Sequence, residues 1–289
     1  QLDAIARQVQ TPFYAYSADL VRERIASLLH SFQSMDVRIC YAVKANPSLA
    51  ILNLMAEQGV GADIVSVGEM QRSLRAGIPA DRIVFSGVGK TADEIAAALE
   101  AGVWRFNVES VDELDVLQAA APRMGVQAGA SVRINLDVDA GTHEKLSTGK
   151  SENKFGVAID EAREWFASAA SRPDVRLDGL HMHIGSQILS LAPFREALRC
   201  MRAFHDELVA QGHAIACIDL GGGLGVAYRA EDQPVAVADY AALIGEVFNG
   251  FGGTLVLEPG RHLVAEAGVL VTRVIRIKHG LDRSFLVLD

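Results

Sequence analysis

Short apolar runs that end in polar or glycine residues alternate eight times with amphipathic stretches, and this alternation constrains the fold more than any other feature of the chain. The runs are VRICYAV (37–43), GADIVS (61–66), RIVFSGV (82–88), WRFNVES (104–110), ASVRINL (130–136), LDGLHMHIGS (177–186), AIACIDLGGG (214–223) and TLVLEPG (254–260). Stretches of helical period follow them, such as LAILNLMAEQG, TADEIAAALEAG and VADYAALIGEVFNGF. Eight consecutive strand–helix units predict a closed (β/α)8 TIM barrel, an α/β fold, rather than an open doubly wound sheet. Thr91-Ala-Asp-Glu94 and Ser110-Val-Asp-Glu113 predict two capping boxes. Gly59, Gly77, Gly102 and Gly212 fall where helices need a left-handed cap.

After the eighth unit, VLVTRVIRIKHGLDRSFLVLD reads as two β runs around a turn. An apolar strand needs a sheet to join. We therefore expect a barrel over 11–268, with 269–289 as the first strands of a C-terminal β domain that is otherwise missing. Region 137–155 is the one long loop, a length that compact domains keep for function or disorder.

Composition limits the partners. The 289 residues carry 27 basic and 36 acidic side chains, a net charge of -9, which argues against nucleic acid. With 50% hydrophobic residues the chain can bury a sizeable core. No apolar run is long enough to span a bilayer, and no signal peptide is visible at the start. Cys40, Cys200 and Cys217 are too few and scattered for a disulfide framework and are expected to be reduced core thiols, which places the chain in the cytoplasm.

A TIM barrel does its chemistry at the C-terminal ends of its strands. Reactive residue types collect there: Lys44, Asp63, Ser86, Gly87, Glu109, Ser110, Arg133, His181, His183, Gly221-Gly222-Gly223 and Glu258. Lys44 closes an apolar strand, where desolvation lowers an amine's pKa and frees it as a nucleophile; a lysine reaching out to water is the alternative. The glycine run can present amides to a phosphate, or be a simple tight turn. Ser86-Gly-Val-Gly-Lys90-Thr91 reads as a helix start rather than a nucleotide loop. His181 and His183 face one side of a strand and can ligate a metal only with further ligands, for which Asp63, Glu258 and His262 are the candidates; we expect none to be bound. Glu258 in the barrel mouth requires a cation or a protonated ring nitrogen, and Arg261 can be that cation or can hold a carboxylate or phosphate. A Schiff-base lysine, a phosphate cradle, a flat imidazole and a carboxylate for a ring nitrogen are together the contacts of pyridoxal 5'-phosphate.

YAVKAN, GADIVSVGE, STGKSENKFG, HMHIGSQ, DLGGGLG and EPGR resemble, in order and from about Thr11 onward, the alanine-racemase-type (fold type III) pyridoxal-phosphate decarboxylases. Within that group HMHIGSQ is most similar to the diaminopimelate decarboxylases. The resemblance implies that Lys44 carries the cofactor, that His183 stacks on its ring and that Ser186 lies near its phosphate. It implies amides to the phosphate from Gly222, Gly223 and Gly260, and pairing of Glu258 with the pyridine nitrogen. Arg261 is placed near the phosphate or the substrate carboxylate, while Asp63 and Glu69 hold the polar network. The implied reaction is decarboxylation of meso-2,6-diaminopimelate to L-lysine and carbon dioxide, in a homodimer with shared active sites. The alternatives are decarboxylation of ornithine, arginine, lysine or carboxynorspermidine, and a pyridoxal-phosphate-binding barrel without activity. The family's first β segment, its cysteine–glutamate motif and its late tyrosine have no counterpart in this reading, so the chain alone is expected to bind cofactor without turning over.

Overall fold

The computed structural model describes residues 2–138 and 154–289. Most of the expected loop 137–155 and most of the STGKSENKFG motif lie outside the described residues. The chain opens with helix α1 (Leu2–Gln8), strand β1 (Phe13–Tyr16) and helix α2 (Ala18–Ser31). The repeats follow: β2 (Val37–Ala42), α3 (Leu49–Glu57), β3 (Gly61–Ile64), α4 (Val67–Arg75), β4 (Ile83–Phe85), α5 (Ala92–Ala101), β5 (Arg105–Val108) and α6 (Val111–Met124). The second half holds β6 (Ala128–Arg133), α7 (Ile159–Ala167), β7 (Val175–His181), α8 (Leu191–Ala210), β8 (Cys217–Asp219), α9 (Val237–Val247), β9 (Thr254–Leu257) and α10 (Arg261–Val264). Strands β2 to β9 form a closed parallel barrel in sequence order, as the eight-fold alternation predicts. It closes where β9 pairs with β2, with Val37 opposite Leu255 and Ile39 opposite Leu257.

Each barrel strand has two buried faces, and residue parity decides which way a side chain points. Ile39, Tyr41, Ile83, Phe85, Ile218, Leu255 and Leu257 pack into the main core. The residues between them, Cys40, Val84, Cys217 and Val256, form a separate small cluster that fills the barrel lumen. The third cysteine does not follow the expectation of a core thiol: Cys200 is exposed on α8. Its helix buries Phe194, Ala197, Leu198, Met201, Phe204 and Leu208, and Cys200 falls off that stripe.

The predicted caps are present with one difference. Thr91 Oγ1 accepts from the Glu94 amide and Glu94 returns a bond to the Thr91 amide, a complete box. Ser110 makes only half of one. It accepts from the Glu113 amide, but Glu113 Oε2 takes the amide of Glu109, one residue further out, at 3.1 Å. A buried lysine explains the difference, because Lys90 Nζ lies 2.8 Å from Glu113 Oε1 and draws the carboxylate inward. Thr91 is the N-cap of α5 and Lys90 directly precedes it, the helix start expected there. Gly59, Gly77, Gly102 and Gly212 all have positive φ.

Outside the barrel, β1 pairs antiparallel with β10 (Gly268–Val271), and β11 (Val274–His279) pairs with β12 (Ser284–Leu288). The second pair is the predicted hairpin. β1 corrects the expectation that no N-terminal β segment is present; four residues are too few to show a period of two. Among the described residues, no helix is long and apolar enough to cross a membrane.

Replacing Thr91 by Ala removes one partner of an orphan amide at the start of α5. We expect the unfolding free energy to fall by about 1 kcal/mol, measured in a urea titration with an unchanged slope. An unchanged midpoint would show that this cap contributes nothing.

Candidate active site

The alternation that fills the lumen also builds the site. Two residues beyond Val84, Cys217 and Val256 come Ser86, Asp219 and Glu258, all buried at the mouth of the barrel. Asp63 and Asn107 occupy the same inward phase in β3 and β5, and both are fully buried. Apolar surroundings make each polar group there depend on its neighbours.

A cavity of about 250 Å³ opens above this layer, lined by Lys44, His183, Ser186, Gly223, Glu258, Gly260 and Arg261. Two further expected residues, Asp63 and Gly222, stand behind its wall. Lys44 Nζ donates to Asp63 Oδ2 at 2.6 Å. The Gly222 amide donates to His183 Nδ1 at 3.2 Å, which leaves the ring proton on Nε2. Glu69 sits one shell out, where its Oε2 accepts from the Val65 amide at 2.8 Å and steadies the turn after β3.

The glycines serve the shape of the wall. Gly221 and Gly223 have φ of 65° and 121°, and a Cβ on Gly222 would overlap the carbonyl of Glu258. The amides of Gly223 and Gly260 have no partner among the described residues, so they remain available to an anion in the cavity. Arg261 donates to Ser186 Oγ through Nε at 3.4 Å and Nη2 at 3.3 Å, and to the Tyr228 hydroxyl. It does not pair with Glu258.

Glu258 Oε2 instead lies 3.5 Å from His181 Nε2. Its Oε1 accepts from Asn107 Nδ2 at 3.2 Å and from Ser86 Oγ at 3.4 Å. Burial works to raise this carboxyl, but His181 and Lys44 outweigh it and hold Glu258 well below the usual carboxylate range. For Asp219 burial acts with the neighbouring Glu258, and both push it well above that range.

The amine of Lys44 corrects an expectation. Burial alone would lower its pKa, yet Asp63, Glu258 and Glu69 more than compensate, and the value is raised. Desolvation was the visible effect in a strand of apolar letters; the carboxylate that opposes it comes from the neighbouring strand.

His181 joins Asp219 and Glu258 in a buried group whose ligand atoms lie within 4.8 Å of one another. This differs from the candidate set named in the sequence, since His183 faces the cavity and His262 is packed near Arg24 and Glu266. Asp219 and Asn107 were not singled out in the sequence. Their signal was there as a polar residue at the inward phase of an apolar strand, in CID and RFNV.

A primary amine, two free backbone amides, a neutral imidazole and an ionised buried carboxylate around one cavity fit a phosphorylated pyridine aldehyde. The comparisons agree on that class: residues 18–265 match the family model described as the pyridoxal-dependent decarboxylase, pyridoxal binding domain. The chain is 47% identical over 288 residues to the diaminopimelate decarboxylase of Pseudomonas aeruginosa and 45% identical over 292 residues to that of Zymomonas mobilis, covering 100% of this chain and 69% of each relative. The crystal structure of the Helicobacter pylori diaminopimelate decarboxylase with L-lysine superposes with a TM-score of 0.96 at 41% identity, over 100% of this chain and 73% of that one. The chain belongs to the diaminopimelate decarboxylase family of pyridoxal-dependent enzymes.

His183 carries a pH signature. Burial, then Arg133 and Lys44, hold its pKa down to about 3, whereas an unfolded chain protonates it near 6.5. Its contribution to stability is therefore complete above pH 6.5 and is lost as the pH falls toward about 3. Urea unfolding across that window should show a shallower acid-side decline for His183→Gln than for the parent. Equal slopes would mean that the ring titrates normally in the native state.

Proposed function

We propose that this chain is the cofactor-binding barrel of an enzyme that decarboxylates meso-2,6-diaminopimelate to L-lysine and carbon dioxide, in lysine biosynthesis. The observation that carries it is the presence of an amine and a buried, ionised carboxylate, Lys44 and Glu258, in the lining of one cavity. His181 and Lys44 keep that carboxylate charged, so it is ready to accept from a protonated ring nitrogen that enters the cavity.

Pyridoxal phosphate, when bound, supplies an electron sink for the pair left on the α-carbon as carbon dioxide departs. Lys44 would be its covalent anchor, and Asp63, at 2.6 Å, is placed to take a proton from the amine. The free amides of Gly223 and Gly260, with Ser186 close by, would hold the phosphate. His183, held neutral by burial, would offer an uncharged imidazole to the ring. Glu258 would hold a proton on the ring nitrogen. Arg261, with its fork on Ser186 and Tyr228, turns its remaining donor capacity to the phosphate or the substrate carboxylate.

Relatives that are 40–47% identical are diaminopimelate decarboxylases, which favours that substrate over ornithine, arginine, lysine or carboxynorspermidine. The H. pylori relative was crystallised with L-lysine, the product of the proposed reaction.

Residues 269–289 are assigned to a second, β-rich domain. The hairpin of β11 and β12 pairs with no barrel strand and exposes Ile275, Ile277, Phe285 and Leu286, a surface that a water-facing hairpin would avoid. A homodimer with shared sites would cover such faces, and a cytoplasmic biosynthetic enzyme is consistent with three unpaired cysteines.

In a polypeptide of the relatives' full length, carbon dioxide should be released from meso-diaminopimelate and not from L-lysine or ornithine. Glu258→Gln should keep the cofactor while lowering kcat by about 100-fold or more. An unchanged kcat would show that the ring nitrogen is not tuned by Glu258, and preference for ornithine would overturn the substrate.

A further inference from the structure

The polar layer at the barrel mouth holds three buried carboxyls, Asp63, Asp219 and Glu258, each at most 5% exposed. The described residues do not supply three cations to match them. Lys44 sits 2.6 Å from Asp63 and His181 sits 3.5 Å from Glu258. Other buried cations are committed elsewhere: Lys90 to Glu113 at 2.8 Å, Arg133 to Glu109 at 2.9 Å and Arg105 to Asp178 at 2.8 Å. Even with His181 charged, two cations face three acids. A buried carboxylate without a counter-charge is far more costly than a buried carboxylic acid, so one of the three keeps its proton.

Geometry selects which one. Among the described residues Asp219 is the one of the three with no ion-pair partner; Oδ1 accepts from the Gly221 amide at 2.9 Å and Oδ2 from Asn107 Nδ2 at 3.1 Å. The same Asn107 nitrogen reaches Glu258 Oε1 at 3.2 Å, so one amide clamps the two carboxyls side by side. Their oxygens lie within 4.8 Å of each other and of His181, whose single charge can match only one of them. Glu258 lines the cavity and Asp219 lies behind it. We infer that Asp219 is a positioning residue, held as the neutral acid, whose hydroxyl donates to Glu258 and keeps that carboxylate ionised toward the cavity.

The opposite pushes of burial and neighbouring charge on the two acids have the same sense. For the chemistry, and resting on the reading of Glu258 as the ring-nitrogen partner, the consequence is direct. A carboxylate that already accepts a bond from an acid is a weaker base, so a proton shared with a ring nitrogen stays on the nitrogen. Asp219 also holds the turn into the glycine run through the Gly221 amide, so one side chain sets both the carboxylate and the cradle.

The test is infrared difference spectroscopy on the purified, cofactor-free chain at neutral pH, where a protonated carboxyl has its own carbonyl stretch. The expected result is one such band that shifts when aspartate carboxyls are labelled with carbon-13. It should be lost in Asp219→Asn, and in Asp219→Glu it should remain but no longer shift with labelled aspartate, which assigns the band even if Asp219→Asn does not fold. Absence of any band, a band in the parent that ignores the aspartate label, a band that still shifts in Asp219→Glu, or a stoichiometric divalent metal that meets the charge count instead, would overturn the inference. Failure of the cofactor reading looks different, because the band would persist while Lys44 took no cofactor.

Discussion

Hydrogen bonding between the first and last barrel strands is the constraint on which the site depends. β2 and β9 lie far apart in sequence, and their parallel register, Val37 to Leu255 and Ile39 to Leu257, brings the chain after each strand to the same rim. Lys44 follows β2 and Glu258 follows β9, so closure of the barrel is what puts amine and carboxylate into one cavity. The backbone continues the contact past the strands, with the Ala42 amide donating to the Pro259 carbonyl at 3.1 Å. Gly260 then packs against Ala42 and Ala45, where a larger side chain would push the two ends apart. An open sheet built from the same repeats would leave these groups on opposite edges.

Below the rim, the lumen is layered. Arg105 and Asp178 pair at the entry side, small apolar residues fill the middle, and the carboxyl layer crowns them. The apolar plug keeps water from reaching the acids from beneath, which is why small distances decide their charge. With Lys44 drawn to Asp63 and His181 to Glu258, the site has a fixed electrostatic sense before any ligand arrives. Ordering such groups in advance is how a protein favours a charge that develops later, because no reorganisation remains to be done.

Much of this was legible in the letters. Eight apolar runs in regular alternation fixed the barrel, and the rule that strand ends carry chemistry selected Lys44, His183, Gly223, Glu258 and Arg261, which line one cavity. What stayed hidden depended on neighbours distant in sequence. The raised pKa of Lys44 comes from Asp63 on the next strand, and the half box at Ser110 comes from Lys90 on another loop. Asn107 and Asp219 looked like isolated polar residues until strand parity placed both in the lumen. β1 was missed because four residues of mixed exposure, FYAY, gain their strand character only from pairing with β10.

The central claim is that Lys44 is the covalent anchor of pyridoxal phosphate at the barrel mouth. The direct measurement is incubation of the purified chain with pyridoxal phosphate, reduction with borohydride, and peptide mapping by mass spectrometry, alongside a folded Lys44→Ala variant. A single label on Lys44, absent from the variant, is the predicted result. No label in a folded chain, or one that persists after Lys44 is removed, would contradict it.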